Sequence, residues 1–206
     1  MAERFSNRPA EIELSVHLTR YYMYQQIGSA IGHRLQGSIL GISGIENFYP
    51  LIDRAAARLV DVQYPAVDMQ KLPFGAEEFD VVISDQVLSH LPNPFLATHE
   101  AFRVLKEGGL GIHTVAAWNP ILNYPGDYFR FTPQGLRVLC PEGIEVLQCS
   151  SWGNRLAMIM MLIRDPFFRF MQIPDSPGIR HWLATYNDER YPIHSWIVAR
   201  KHHAGS

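Results

Sequence analysis

Two histidines and one aspartate have the side-chain types that proton transfer requires. His90 ends the run Asp85-Gln-Val-Leu-Ser-His90, and His113 lies inside the apolar run Gly-Ile-His-Thr-Val. Asp127 follows in a tyrosine-rich segment. A histidine that titrates near neutral pH can remove the proton from an oxygen nucleophile. We therefore predict catalytic roles for His90, His113 and Asp127. The alternatives are a structural link between loop and helix for His90 and a core position for His113.

Residues 119–133 form a polar and aromatic segment directly after the apolar run that contains His113. Ligand contacts are concentrated on loops that follow strands, so this segment is a candidate substrate site. We predict that Tyr124, Tyr128 and Arg130 bind the substrate. The alternative is that Asp127 and Arg130 form an ion pair whose only role is to fix the loop.

The elements that must position these residues alternate along the chain. Apolar runs predict strands, and apolar residues at a spacing of three to four predict helices. This alternation is typical of an α/β sheet packed in layers. The predicted strands are 38–42, 59–62, 79–84, 110–115, 144–149 and 195–199, and the predicted helices are 11–35, 94–105 and 133–139.

Other segments carry weaker patterns. Residues 51–58 are predicted to be helical or irregular, and 66–74 a loop or a minimal strand. Residues 155–170 are apolar, which fits a core helix, a roof over a greasy substrate, or a dimer face. We expect an N-terminal helical cap at 1–36 and one α/β domain at 37–206, with lid-like insertions around 119–133 and 155–192.

Two motifs carry a resemblance to a known family. Leu72-Pro-Phe-Gly-Ala-Glu-Glu-Phe-Asp-Val-Val-Ile-Ser-Asp85 and Arg103-Val-Leu-Lys-Glu-Gly-Gly-Leu-Gly-Ile-His113 read as strand, loop, glycine turn and strand. Together they resemble the second half of a class I S-adenosylmethionine-dependent methyltransferase of the small-molecule, type 11-like kind. The resemblance implies a Rossmann-like, mostly parallel sheet with an antiparallel edge strand and helices on both faces. It also implies S-adenosylmethionine as cofactor.

The glycine-rich loop of that family is degenerate in this chain. The family has acid-x-Gly-x-Gly after the first strand, whereas this chain has Gly41-Ile-Ser43-Gly44-Ile45. Gly41 stands where the acid is expected, and Ser43 stands where the first glycine is expected. By position, the resemblance still implies that Gly41, Ser43 and Gly44 contact the cofactor. The alternative is a tight turn that only leaves a strand.

The resemblance also implies the remaining cofactor contacts. Asp61 would accept from the ribose hydroxyls, Asp68 from the adenine amino group, and Met69 would pack on the adenine ring. Asp85 and Gln86 would lie near the methionine part. Only six residues separate Asp61 from Asp68, where the family fits a helix, so we expect the sheet to be truncated there.

Composition excludes several classes of function. The net charge of −2 gives no basic footprint for nucleic acid, and 18% charged residues fit a globular domain. Cys140 and Cys149 are the two cysteines, so a reducing compartment is expected. No zinc-ligand pattern, signal peptide or membrane span is evident, so we predict a cytoplasmic protein without metal and with no nucleic-acid or membrane partner.

We predict an S-adenosylmethionine-dependent methyltransferase that acts on a small molecule, with oxygen as the methylated atom. The alternative is a methyltransferase-fold protein that has lost methyl transfer, either as a cofactor-assisted cyclase or as a non-catalytic binding protein. The degenerate Gly41–Ile45 loop motivates that alternative. A nicotinamide dehydrogenase is disfavoured because no G-x-G-x-x-G follows the first strand.

Overall fold

Six strands form one sheet in the computed structural model, which describes residues 17–164, 173 and 178–202. The strands are β1 (Leu35–Ile42), β2 (Ile52–Val62), β3 (Phe79–Asp85), β4 (Leu105–Ala116), β5 (Ile144–Trp152) and β6 (His194–Lys201). Their spatial order is β2-β1-β3-β4-β6-β5. The pairs β1–β2, β1–β3 and β3–β4 are parallel, whereas β6 runs antiparallel to both β4 and β5. The predicted sheet, mostly parallel with antiparallel pairing towards one edge, is confirmed.

Helices cover both faces of this sheet. They are α1 (Leu18–Ile31), α2 (Pro94–Val104), α3 (Pro133–Val138), α4 (Arg155–Arg164) and α5 (Ile179–Thr185), together with short 3-10 turns at Glu46–Leu51 and Leu88–His90. Apolar residues of α1, α4 and α5 share one buried core with Ile39, Ile83 and Trp196. Those of α2 and α3 share the other with Leu40 and Val82. The sheet is therefore the middle of three layers.

Two of the predicted helices begin where their capping residues indicate. The Asn93 side chain accepts from the backbone N–H of Leu96 at 3.1 Å, and Pro94 occupies the first turn of α2. The Thr132 side chain accepts from the backbone N–H of Gly135 at 3.2 Å and begins α3. Each cap joins residues only three positions apart, so the starts of α2 and α3 are set by local interactions.

The predicted helical or irregular state of residues 51–58 is wrong, because these residues lie almost entirely in β2. Alanine and arginine favour helices, but intrinsic propensity is routinely overridden by tertiary contacts. Here the edge of β1 supplies hydrogen-bonding partners, with Gly37 in register with Ala57 and Leu40 with Val60. Between β2 and β3 the structure has turns without helix or strand, so the predicted truncation is confirmed.

Parts of two predicted helices fall outside the described residues. Within predicted helix 11–35, residues 18–31 form α1, and 11–16 are not described. Within the apolar stretch 155–170, residues 155–164 form α4, and 165–170 are not described. Ala157 and Met161 of α4 are buried in the core, whereas Leu162 and Ile163 are exposed. α4 therefore combines a core face with an apolar outer face.

Replacement of Gly153 by alanine is expected to destabilise the fold. A Cβ at Gly153 would lie 2.0 Å from the Tyr191 carbonyl oxygen and 2.6 Å from the Ile193 nitrogen, so backbone would have to move. Overpacking of this kind costs about 1–3 kcal/mol. Gly135→Ala is the matched control, because its Cβ would meet no atom closer than 3.5 Å. Urea unfolding of both variants measures the difference, and an equal stability for the two would contradict this packing.

Candidate active site

A cavity of about 490 Å³ opens at the carboxyl ends of β1, β2 and β3. This volume lies in the range of small-molecule pockets, and parallel α/β sheets bind ligands at this edge. Its wall contains eight of the predicted site residues, which are Ser43, Asp68, Met69, Asp85, Gln86, His90, Tyr124 and Tyr128. The predicted residues Gly41, Gly44, Asp61, His113, Asp127 and Arg130 do not line it.

The loop after β1 keeps a glycine-like backbone despite its altered sequence. Ser43 has φ 64° and Gly44 has φ 81°, both in the left-handed region that favours glycine. Ser43 thus has a conformation that glycine adopts more readily, and it lines the cavity. Its backbone N–H, however, donates to the Val62 carbonyl at 2.8 Å, so this amide is already occupied.

Gly41 has no side chain for a reason internal to the fold. A Cβ there would lie 2.8 Å from two side-chain atoms of Ile45 and 3.3 Å from an Asp61 carboxylate oxygen. Ile45 is fully buried in the core beneath α1. Gly41 therefore leaves space for the Ile45 side chain. Glycine at the position of the family's acid and isoleucine at the position of its second glycine thus fit each other sterically.

Asp61 lies beside the loop and not in the cavity wall. It pairs in register with Gly41 near the end of β2, and the nearby backbone N–H groups of Gly44 and Val62 favour its charged form. Burial and the neighbouring Glu46 carboxylate raise the pKa of Asp61. Gln63, two residues further on, lines the cavity instead. Asp61 thus braces the loop, and its predicted contact with ribose stays a prediction.

Asp68 and Met69 form one end of the cavity. Met69 is 2% exposed, so it offers a fixed apolar surface. The Asp68 carboxylate accepts from the backbone N–H and the side-chain amide of Gln70, at 2.9 and 3.1 Å. A carboxylate oxygen can accept more than one hydrogen bond, so Asp68 retains capacity for an amino group of a ligand.

Asp85 at the end of β3 is held by three side chains. Tyr24 donates to it at 2.6 Å, Asn47 donates at 3.2 Å, and Thr114 donates to its other oxygen. The carboxylate is 8% exposed and lines the cavity. Burial and the Asp85 charge raise the pKa of Tyr24, so Tyr24 stays a hydrogen-bond donor.

Gln86 follows Asp85 with φ 62°, an unfavourable conformation for a residue with a side chain. Its backbone N–H and its side-chain amide both donate to Thr114 Oγ1, at 3.1 and 2.9 Å. Ser43 and Gln86 both line the cavity with left-handed backbones. Unfavourable backbone geometry of this kind is concentrated at functional sites.

His90 is oriented by the loop that follows β4. Its Nδ1 makes a short hydrogen bond to the Gly126 carbonyl oxygen. A carbonyl only accepts, so Nδ1 carries the proton and Nε2 of the neutral ring has a free lone pair. Within the described part of the chain no group donates to Nε2. Because His90 lines the cavity, this nitrogen is available as a base.

Asp127 and Arg130 form an ion pair that shapes this loop. Arg130 donates two hydrogen bonds to the Asp127 carboxylate and others to the carbonyls of Asn119 and Phe129. The Asp127 carboxylate also accepts from the Leu122 backbone N–H at 2.8 Å. The hydrogen bond to Arg130 is the main reason why the pKa of Asp127 is lowered to about 2. This placement supports the structural alternative for both residues.

Tyr124 and Tyr128 lie in the cavity wall as predicted, and both remain more than half exposed. The backbone N–H of Tyr128 donates to the Ser89 carbonyl at 2.9 Å, which ties the loop to the turn that carries His90. Pro125, between the tyrosines, also lines the cavity. An aromatic wall therefore stands beside His90.

His113 lies in the core and not in the cavity. It is 1% exposed, its Nδ1 is 2.7 Å from Ser84 Oγ, and its ring meets Phe102 of α2 edge to face. Burial lowers the pKa of His113 to about 4. The ring is therefore neutral at pH 7, and the core alternative accounts for its position.

The described cavity residues fit S-adenosylmethionine at two of its parts. Asp68 and Met69 offer an acceptor and an apolar surface to adenine. Asp85 contributes a carboxylate to the wall, which would favour a sulfonium, and no Lys or Arg stands among the described residues of the wall. The fit is weaker at the ribose, because Asp61 is directed to the loop. Asp68, Met69, Asp85, Gln86 and the Ser43 side chain are the residues that would hold the cofactor.

A parallel sheet with its cavity at the carboxyl ends of the strands defines a Rossmann-like ligand-binding protein. The family model of a methyltransferase domain matches residues 29–112. A demethylmenaquinone methyltransferase from Staphylococcus carnosus is 30% identical over 76 residues, which are 37% of this chain and 32% of that protein. The match therefore spans about a third of the relative's length.

Two solved structures are similar in fold. A presumed sarcosine dimethylglycine methyltransferase from Galdieria sulphuraria has TM-score 0.54 at 13% identity, over 89% of this chain and 84% of that one. A presumed methyltransferase from Bacillus halodurans has TM-score 0.51 at 15% identity, over 88% and 98%. At these identities the likeness concerns the fold alone. Residues 29–112 thus resemble a methyltransferase domain, and the fold is the Rossmann-like fold of these methyltransferase structures.

Two further observations apply to residues 17–164, 173 and 178–202. No group of three or more His, Cys, Asp or Glu side chains there is arranged to hold a metal ion. None of the helices in these ranges combines the length and the apolar character that crossing a membrane requires.

Several functional contacts could not be found from the sequence. Tyr24, Asn47 and Thr114 hold Asp85 from distant parts of the chain, and no spacing rule links them. Gly126 contributes a backbone carbonyl, which leaves no trace in residue type. The left-handed position of Ser43 was detectable only as the place of a missing family glycine.

Asp68→Asn is expected to weaken binding of S-adenosylhomocysteine by about 1–3 kcal/mol, because a carboxylate acceptor at the cavity wall is lost. Asp61→Asn is the matched control, since Asp61 does not line the cavity. Titration calorimetry measures both affinities. Equal affinity of Asp68→Asn and the parent protein would remove Asp68 from the cofactor site, and a larger loss in Asp61→Asn would restore the ribose role.

His113 makes stability depend on pH in a defined window. The folded state takes up this proton only near pH 4, whereas the unfolded chain takes it up near pH 6.5. Stability therefore falls as pH drops from 6.5 to 4, by up to about 3 kcal/mol. Urea unfolding across this window should show a smaller slope for His113→Gln than for His99→Gln, an exposed control. Identical slopes would contradict the buried neutral histidine.

Proposed function

We propose that this protein is an S-adenosylmethionine-dependent methyltransferase that transfers the methyl group to an oxygen atom of a small molecule. The observation that carries the proposal is the arrangement of His90. Its Nδ1 donates to the Gly126 carbonyl, so the unprotonated Nε2 remains for an acceptor hydroxyl in the cavity. An oxygen nucleophile must lose its proton during transfer, and an oriented neutral histidine is suited to accept it.

The cofactor, when bound, supplies an activated methyl group on a sulfonium. The protein then needs to align the acceptor and exclude water. Asp68 and Met69 would orient adenine, and Asp85 would offset the positive charge of the sulfonium. His90 lies on the same cavity wall as these residues. One cavity wall therefore contains residues suited to both the cofactor and a small acceptor.

Asp127 and Arg130 contribute to this site as positioning residues. Their ion pair fixes the loop that contains Gly126, and the Gly126 carbonyl in turn sets the tautomer of His90. The Asp127 charge also interacts favourably with His90, which would stabilise the protonated ring after it has accepted a proton. Neither residue needs to touch the substrate to influence the reaction.

A second candidate function is favoured by the loop after β1. The backbone N–H of Ser43 is occupied by the Val62 carbonyl, so it is not free to bind a cofactor. A protein of this fold that no longer transfers methyl groups, either a cyclase or a binding protein, would explain that loss. Titration calorimetry with S-adenosylmethionine and S-adenosylhomocysteine, followed by an assay for transfer of labelled methyl groups, separates the candidates. Micromolar binding with methyl transfer supports the transferase, and micromolar binding without transfer supports a cofactor-assisted cyclase. Absence of binding in a cooperatively folded protein supports a binding protein.

His90→Gln is expected to lower kcat by roughly 10²- to 10⁴-fold, because glutamine can bond to the Gly126 carbonyl but cannot act as a base. The loss of rate on the acid side of the pH–rate profile should disappear in the same variant. Methyl transfer from labelled S-adenosylmethionine to a panel of small hydroxyl compounds provides the measurement.

His99→Gln is the control, because His99 is exposed on α2 and lies outside the cavity wall. It should retain the parent rate and profile. A His90→Gln variant with unchanged kcat and an unchanged acid limb would exclude His90 as the base, and with it the observation on which the oxygen acceptor rests.

A further inference from the structure

We infer that the acceptor is an uncharged aromatic hydroxyl compound, bound between the tyrosine wall of the cavity and His90. The tyrosine wall consists of Tyr124, Pro125 and Tyr128. The identity of the methylated atom rests on the proposed function. The aromatic and uncharged character of the ligand rests on the cavity itself.

The charges of the cavity disfavour an anion. Asp68 and Asp85 line it, and its described wall contains neither Lys nor Arg. A carboxylate or phosphate group would lose its hydration without gaining a cation, and two negative groups would repel it.

Arg130 is the cation that the sequence offers for this purpose, but it is already engaged. Its guanidinium donates to both oxygens of Asp127 and to the Asn119 and Phe129 carbonyls. Recruiting it for a substrate would leave the buried Asp127 carboxylate, whose side chain is 3% exposed, without its charge partner. The loop would lose the contact that holds it in place.

A cationic acceptor is disfavoured because the proposed cofactor uses both carboxylates. Asp85 accepts from Tyr24, Asn47 and Thr114, and the charge that it retains is assigned to the sulfonium. Asp68 is assigned to adenine together with Met69. The other residues of the wall that accompany His90 are neutral, and they include the tyrosine wall, Gln86 and Leu91.

The tyrosine wall has the form of a stacking surface. Tyr124 and Tyr128 are 74% and 56% exposed, although both line a cavity, so their rings have contact area to offer a ligand. Aromatic rings bind other rings by stacking or edge contacts with little loss of side-chain entropy. The apolar surface continues past the cavity, because Ile121 in the same loop is 82% exposed.

Gly126 connects this wall to the base. A Cβ at Gly126 would lie 2.7 Å from a ring carbon of Tyr128 and 3.0 Å from its hydroxyl oxygen, so the Tyr128 ring rests against the glycine. The carbonyl of the same residue accepts from His90 Nδ1. The Tyr128 ring and the imidazole therefore contact one residue, and a ring stacked on Tyr128 would hold its hydroxyl close to His90.

The test uses three probes on one aromatic frame at pH 7. They are 1-naphthol, 1-hydroxy-2-naphthoate and 1-naphthylmethylamine, titrated calorimetrically into the protein with and without saturating S-adenosylhomocysteine. We expect 1-naphthol to bind at least about tenfold more tightly than the naphthoate, since burial of an unpaired charge is costly. Equal or tighter binding of the naphthoate would overturn the inference, as would preference for the amine by cation–π contact.

Variants locate the binding surface. Tyr124→Ala and Tyr128→Ala should each weaken 1-naphthol binding by roughly threefold to tenfold. Phe95→Ala is the matched control, because Phe95 is 52% exposed on α2 and lies outside the cavity wall. Tyr128→Arg should reverse the selectivity towards the naphthoate. Unchanged naphthol affinity in both alanine variants would overturn the tyrosine wall as the binding surface.

The two proposals fail in different ways. If 1-naphthol binds with the expected selectivity but neither cofactor form binds, the transferase is wrong and the aromatic site stands. If the cofactor binds and methyl groups are transferred while the naphthoate is preferred, the transferase stands and the uncharged aromatic acceptor is wrong.

Discussion

The buried carboxylate of Asp85 is the interaction on which the site depends. A carboxylate with 8% exposure requires donors, and it receives them from Tyr24 on α1, Asn47 beyond β1, and Thr114 on β4. Each donor belongs to a different element. The three hydrogen bonds to the Asp85 carboxylate therefore connect α1, the turn after β1, and β4 to the end of β3. The cavity wall therefore contains a carboxylate that is already hydrogen-bonded to the protein.

The loop after β1 shows how backbone shape can persist after its usual residues are lost. Ser43 and Gly44 have left-handed φ values. The Ile45 side chain fills the space that a Cβ at Gly41 would need. The backbone N–H of Ser43 now bonds within the chain, because it donates to the Val62 carbonyl. The loop therefore has a left-handed backbone at two positions, while part of its hydrogen-bonding capacity is used internally.

The segment after β4 turns a structural ion pair into a feature of the site. Asp127 and Arg130 form an ion pair that holds the loop. The loop places the Gly126 carbonyl against His90 and the Tyr128 ring in the cavity wall. The charges of Asp127 and Arg130 order the loop and do not face the cavity. The surface left for a ligand is then aromatic and neutral, because the charged side chains of the loop are directed to each other.

The sequence alone determined the layered sheet and much of the site. Apolar runs identified β3, the spacing of apolar residues located α2 and α3, and motif position identified Asp68, Asp85 and His90, since these signals are local. The strand at 52–58 and the core position of His113 were decided by tertiary structure, because pairing with β1 and burial beneath Phe102 depend on distant residues. Distant residues also decide the hydrogen bonding of Asp85 and the tautomer of His90. Their partners Tyr24 and Gly126 lie 61 and 36 residues away along the chain, and only folding brings them into contact.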